Sequence, residues 1–284
     1  MFIRLGYTIS FVCDQPTPMM LMLDVHASRR KDVVAELAHR TTPPLALTHY
    51  FDDFGNRCTR VVAPAGETTF HSDLIVSDSG LPDAVRPELT GTPVEALPAE
   101  VLVYLLGSRY CETDRLVCKA WELFSHTPPG WARVQAICDF VHQHIQFGYE
   151  HADSKRGAWQ GFEDRRGVCR DFAHLAVTLC RCMNIPARYC TGYLGDIGVA
   201  KSDAPMDFSA WFEVWLNGAW HTFDARHNTP RIGRVLLATG RDASDVAISN
   251  TFGPAHLSRF EVWTDETENY ATPFLDTAPL ALIA

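Results

Sequence analysis

Apolar side chains at Ile3, Leu5, Tyr7, Ile9 and Phe11 alternate with Arg4, Gly6, Thr8 and Ser10, which predicts a strand with one face buried. Pro16 and Pro18 interrupt the pattern, and residues 19–25 predict a second strand. Segments 45–51 and 57–62 flank Asp52-Asp-Phe-Gly-Asn56, the composition of a hairpin loop, and 68–76 adds another strand. Residues 1–80 are therefore expected to form an antiparallel, sandwich-like β-domain. Residues 81–100, rich in Pro, Gly, Thr and Glu, predict a linker.

Beyond residue 100 the period changes. Val117, Ala120, Trp121 and Phe124 recur at i, i+3, i+4 and i+7, an amphipathic helix. After Thr127-Pro-Pro-Gly130, the residues Val134, Ile137, Cys138, Val141 and Ile145 form the stripe of a second helix. Residues 172–183 are apolar or small almost all round, the signature of a buried helix, which Asn184 and Pro186 terminate. Strands follow at 187–193, 210–216, 220–225, 231–238 and 257–264, with Asn217-Gly218 the strongest short hairpin signal. Residues 101–284 thus read as α+β, helices first and an antiparallel sheet after.

The chain has 284 residues and a net charge of −9, which disfavours nucleic-acid and anionic membrane surfaces as partners. No run approaches the roughly 18–20 apolar residues of a membrane span. Residues 1–13 contain Arg4 and lack the continuous apolar stretch of a secretory signal, so the cytoplasm is the expected compartment. Nine cysteines without a compact spacing suggest reduced thiols. His26, His39, His49 and His71 have no spaced ligand partners, and Cys180 and Cys182, two apart on a helix, face different ways. No metal or cofactor is expected.

The candidate chemistry centres on Cys169. A turn at Gly167 leads into the buried helix, so this thiol sits at a helix N-terminus, where the dipole and free N–H groups favour a thiolate. A buried structural cysteine is the plain alternative. Asp224, a carboxylate in an apolar strand beside Trp220 and Phe223, needs partners. Trp211, Trp215 and Trp220 suggest a groove or, more simply, core packing.

Gly-Val-Cys-Arg-Asp-Phe-Ala-His-Leu at 167–175, Ala-Trp-Phe-Glu-Val-Trp at 210–215 and Phe-Asp-Ala-Arg-His-Asn at 223–228 resemble, in order and spacing, three motifs of the transglutaminase-like superfamily. The resemblance implies a papain-like core without a metal, preceded by the β-domain of bacterial members. It also implies a Cys-His-Asp triad that forms a thioester with a peptide or protein amide and passes the acyl group to water or an amine. Cys169 matches the nucleophile and Asp224 the acid that orients the imidazole. Where the family has its histidine, this chain has Ser209.

A hydroxyl is no base near neutral pH, and loss of a triad base costs on the order of 10³- to 10⁶-fold in rate. His227 could fold back toward Asp224, whereas His221 and His174 are expected to point away from the site. Asp207 precedes Ser209 by two residues and could share its face; as an ordinary carboxylate it is a weak base for a thiol. Arg165, Arg166 and Arg170 could assist the thiolate or form a solvated edge, and Asp171 and Glu213 are expected to support loops or ion pairs. The sequence leaves two functions: a thiol amidase, peptidase or acyltransferase impaired by Ser209, or a non-catalytic peptide- or protein-binding relative.

Overall fold

The computed structural model describes residues 1–202 and 204–268. Its N-terminal part runs through β1 (Phe2–Cys13), β2 (Thr17–Leu21), β3 (Val33–Thr42), β4 (Thr48–Phe51), β5 (Arg57–Ala63) and β6 (Gly66–Ser77). Then come α1 (Thr113–Phe124), α2 (Trp131–His144), β7 (Gln146–Phe147), α3 (Ala158–Asp164), β8 (Arg166–Gly167) and α4 (Cys169–Cys182). The chain continues with β9 (Ala187–Leu194), β10 (Ser209–Leu216), β11 (Ala219–Phe223), β12 (Arg234–Gly240), β13 (Ser249–Thr251) and β14 (Ala255–Thr267).

The architecture is α+β, as the pattern predicts. Two four-stranded antiparallel sheets, ordered β14-β1-β6-β3 and β13-β2-β5-β4, carry the N-terminal strands, and a third, ordered β11-β10-β9-β12, carries the core strands. The first two sheets share a buried cluster containing Ile3, Leu5, Tyr7, Met19, Leu21 and Phe70, which extends to Tyr193, Val235 and Leu237 of the third. Pairing does not respect a division at residue 100: β13 lies against β2 and β14 against β1 along its whole length.

That return explains why β1 is not the half-buried strand its alternation suggests. Its second face is covered as well: Thr8 bonds His71 (2.9 Å) and Ser10 bonds Thr69 (2.8 Å). Gly6 lies where a Cβ would meet the Trp263 ring at 2.4 Å and Ser72 O at 2.3 Å, so a side chain has no room there.

Helix α4 is the axis of the second half. It packs with α1, α2 and β10 around Leu175, Val177, Leu179, Val134, Ile137 and Phe212, all almost wholly buried. The α2 stripe is buried as its spacing predicts. On α1 the phase differs: Leu116, Ala120 and Phe124 face the core, while Val117 and Trp121 are 37% and 45% exposed. Leu116 displaces Val117 by one position, and an aromatic counted as core turns outward. Segment 81–100 is laid on the core, with Leu89 O accepting from Trp131 N (2.9 Å) and Gly91 N donating to the Asn217 side chain (3.0 Å). The β10–β11 hairpin turns through Asn217 and Gly218, both at positive φ (49° and 88°), as their residue types require. No helix among the described residues is long and apolar enough to cross a membrane.

Candidate active site

Gly167 matters for close approach rather than for a left-handed turn. A Cβ there would lie 2.4 Å from the Asp171 carboxylate, and the left-handed residue is Arg165 (φ 54°). Asp171 reaches back to accept the Val168 N–H (2.8 Å) and pairs with Arg156 (3.3 Å), closing the first turn of α4. Glu213 pairs with Arg188 (2.7 Å). Both acids therefore hold structure.

Cys169, half-buried, opens α4. It lines a cleft of about 870 Å³ together with Ser209, Asp207, Arg170, Tyr110 and Tyr189; residues 243–244 and 246–250 line it as well. Among the described residues no imidazole lines this cleft. Burial pushes the Cys169 thiol above its ordinary pKa; the Arg226 guanidinium and the Ala210 N–H act against that, while the Asp207 and Asp224 carboxylates add to it. The Ala210 N–H brings the backbone beside Ser209 to the sulfur. Asp207 sits at the rim, accepting the Phe208 N–H (2.6 Å); desolvation raises its carboxyl, with that N–H and Arg226 opposing.

Asp224 is not part of this cleft's lining but lies within electrostatic reach of the thiol. Its Oδ1 accepts the N–H groups of Arg226 and His227 (3.0 Å each). Its Oδ2 accepts from the His227 ring (2.8 Å) and the Arg234 guanidinium (2.7 Å). Arg234 continues to Asp83 (2.8 Å). Burial alone would raise the Asp224 carboxyl, but Arg234 and His227 hold it well below the carboxylate range.

His227 thus does fold back, onto Asp224 and not into the cleft wall. His221 approaches Leu216 O (3.2 Å). His174, wholly buried, stacks on Tyr110 and packs against Tyr189 (ring centres 5.0 Å in each case). Its Nε2 accepts the Ala243 N–H (3.1 Å), and burial keeps the ring neutral by pushing its pKa far down. Arg170 lines the cleft and bonds Asp153 O, whereas Arg165 and Arg166 are exposed and outside it. The cation that favours the thiolate is Arg226, which the sequence reading passed over; its place two residues after Asp224 was the available signal. The three tryptophans lie outside the cleft lining: Trp211 is buried, and Trp215 and Trp220 pack on each other (5.4 Å).

A thiol at a buried helix start, a β-hairpin delivering position 209 to it, and an acid on the return strand form the frame of a papain-like site. The sequence model of the transglutaminase-like superfamily matches residues 122–225, which include all three positions. The crystal structure of a candidate cysteine protease from Cytophaga hutchinsonii superposes with a TM-score of 0.82 at 30% identity, covering 96% of this chain and 93% of that one.

The chain belongs to the transglutaminase-like superfamily.

The likeness to the Cytophaga protein takes in the N-terminal sheets as well as the transglutaminase-like core. An uncharacterized protein of Mycobacterium leprae is 38% identical over 86 residues, 29% of this chain and 30% of that protein. This transglutaminase-like chain therefore matches under a third of that relative's length.

Proposed function

We propose that this protein is a thiol-dependent acyl-transfer enzyme acting on peptide or protein amides, with Cys169 as the nucleophile. The observation that carries the reading is that Cys169, at the start of α4, lines a large cleft in which Arg226 and the Ala210 N–H oppose the rise in thiol pKa that burial causes. In the reaction the thiolate forms a C–S bond to the amide carbonyl. The C–N bond then breaks, the amine leaves with a proton, and water or a second amine cleaves the thioester. Free N–H groups at the start of α4 face the developing oxyanion.

Ser209 supplies no proton acceptor, and the Asp224 carboxylate is already fully engaged by His227, Arg234 and two N–H groups. In this reading Asp207, in the same cleft and with its carboxyl pKa raised by burial, takes the thiol proton. Such a base is weaker than imidazole, so turnover is slow. The test is acylation by an N-acylglycine p-nitrophenyl ester. A nitrophenolate burst with the acyl mass on the peptide carrying Cys169, both absent from Cys169→Ala, is expected. Equal release by the two proteins, with peptides bound but never acylating the sulfur, would replace the enzyme by a binding relative.

A further inference from the structure

The cleft that Cys169 lines is not made by the helical core alone. Residues 243–244 and 246–250, which run into β13, line it too, and β13 is the edge of the sheet ordered β13-β2-β5-β4. The register defines what that edge offers. Met22 N donates to Ile248 O (3.0 Å) and Phe252 N donates to Pro18 O (2.9 Å), with Asn250 opposite Met20 between them. Residues 248, 250 and 252 therefore turn their backbone groups toward β2. In an antiparallel ladder the alternate residues, Ser249 and Thr251, turn theirs to the open side. Ser249 is also part of the cleft lining.

Two further features suit this edge to a backbone. Its side chains in the cleft lining are uncharged: Ala243, Ser244, Val246, Ala247, Ile248, Ser249 and Asn250. It is also held firmly to the nucleophile helix. Ala243 N donates to His174 on α4 (3.1 Å), and Asp242 accepts from Tyr110 N and Ser244 N (2.9 Å each). An unpaired edge takes a strand of another chain. Here the edge and the sulfur share one cleft.

We propose that Ser249–Thr251 is the substrate-binding ledge: an extended acyl-donor peptide adds to the free edge of β13 and is carried along it to the Cys169 sulfur. This rests on Cys169 being the nucleophile, and it makes recognition depend on the main chain of the substrate. His174 is a positioning residue that keeps the ledge in register with the thiol.

The test compares alkylation of Cys169 by iodoacetamide and by N-iodoacetyl-tetraalanine amide, read by mass spectrometry. The thiolate displaces iodide in both. Cys118, exposed on α1 and outside the cleft lining, is the internal reference. The Cys169-to-Cys118 ratio should be about tenfold higher with the peptide reagent. N-methylation of alternate amides in one phase should abolish that gain, and in the other phase should leave it. Ser249→Pro, which removes an outward N–H, should bring the ratio down to that of iodoacetamide.

Equal ratios for the two reagents, or a gain indifferent to the phase of methylation, would overturn the ledge whatever the absolute rates. A preserved gain with no acyl mass on Cys169 from the p-nitrophenyl ester would overturn the nucleophile and leave the ledge standing. A dimer in sedimentation that Ser249→Pro dissociates would give the edge to a second copy of the chain and overturn the proposal.

Discussion

The mouth of the cleft and the buried network below it are built on opposite principles. Around Asp224 the acceptor positions of the carboxylate are filled, and the charge is paired with Arg234, itself shared with Asp83. Around Cys169, burial and two carboxylates push the thiol pKa up, and only one cation and one N–H oppose them. The network at Asp224 is saturated, while the surroundings of Cys169 are sparse. An acid that in the family motif orients an imidazole here organises its own loop, through the N–H groups and ring of residues 226 and 227. Asp224 is thus not an uncompensated buried charge, which would be costly.

The contrast can be broken most severely from below. Asp224→Asn leaves the buried Arg234 with Asp83 alone and His227 without its carboxylate, and should cost about 3–5 kcal/mol in urea unfolding followed by tryptophan fluorescence. A loss under about 1 kcal/mol would show that the network is not what holds the loop. Next comes the mouth. Ser209→His returns an imidazole beside the sulfur and should raise ester acylation on the order of 10²-fold, with the alkylation pH profile moving to lower pH. An unchanged profile would mean that residue 209 does not serve the thiol.

His174 gives a smaller effect with a definite sign. Burial lowers its pKa in the folded state from the roughly 6.5 of the unfolded chain. Below that value the unfolded chain takes a proton that the folded protein refuses. Stability should therefore fall as pH drops below about 6.5, by up to about 1.4 kcal/mol per unit from this group. His174→Asn should flatten that slope, and a slope identical to the parent's would remove His174 from the account. Smallest is Arg226→Gln, expected to slow iodoacetamide alkylation of Cys169 about three- to tenfold at pH 7 by raising the thiol pKa further. An unaltered rate would detach Arg226 from the thiolate.

Local pattern made much of this legible. The alternation of β1, the apolar run of α4 and the Asn217-Gly218 turn each determine their element within a few residues. What escaped was decided at a distance. β3 has two register shifts against β6 and sits at a sheet edge, so its alternation is broken and the sequence gives no strand signal there. The α1 stripe was misphased by one residue because Val117 and Trp121 are apolar yet exposed. Nothing in residues 257–264 announces that their partner is β1 rather than the neighbouring core strands. At the site, the motif spacing pointed to Cys169, Ser209 and Asp224. The roles of Arg226 and His227 depend on the turn after β11, which a linear pattern does not encode.

The pairing of Phe2 with Thr267 has a temporal consequence. A ribosome delivers β1 well before its outer neighbour β14, with the whole helical half between them. Until β14 emerges, one flank of β1 is bare. The early strands must wait for the late ones, so this sandwich closes only after the helical half has been made. Such long-range closure slows folding. A chain released before residue 255 would expose the unpaired flank of β1 to aggregation.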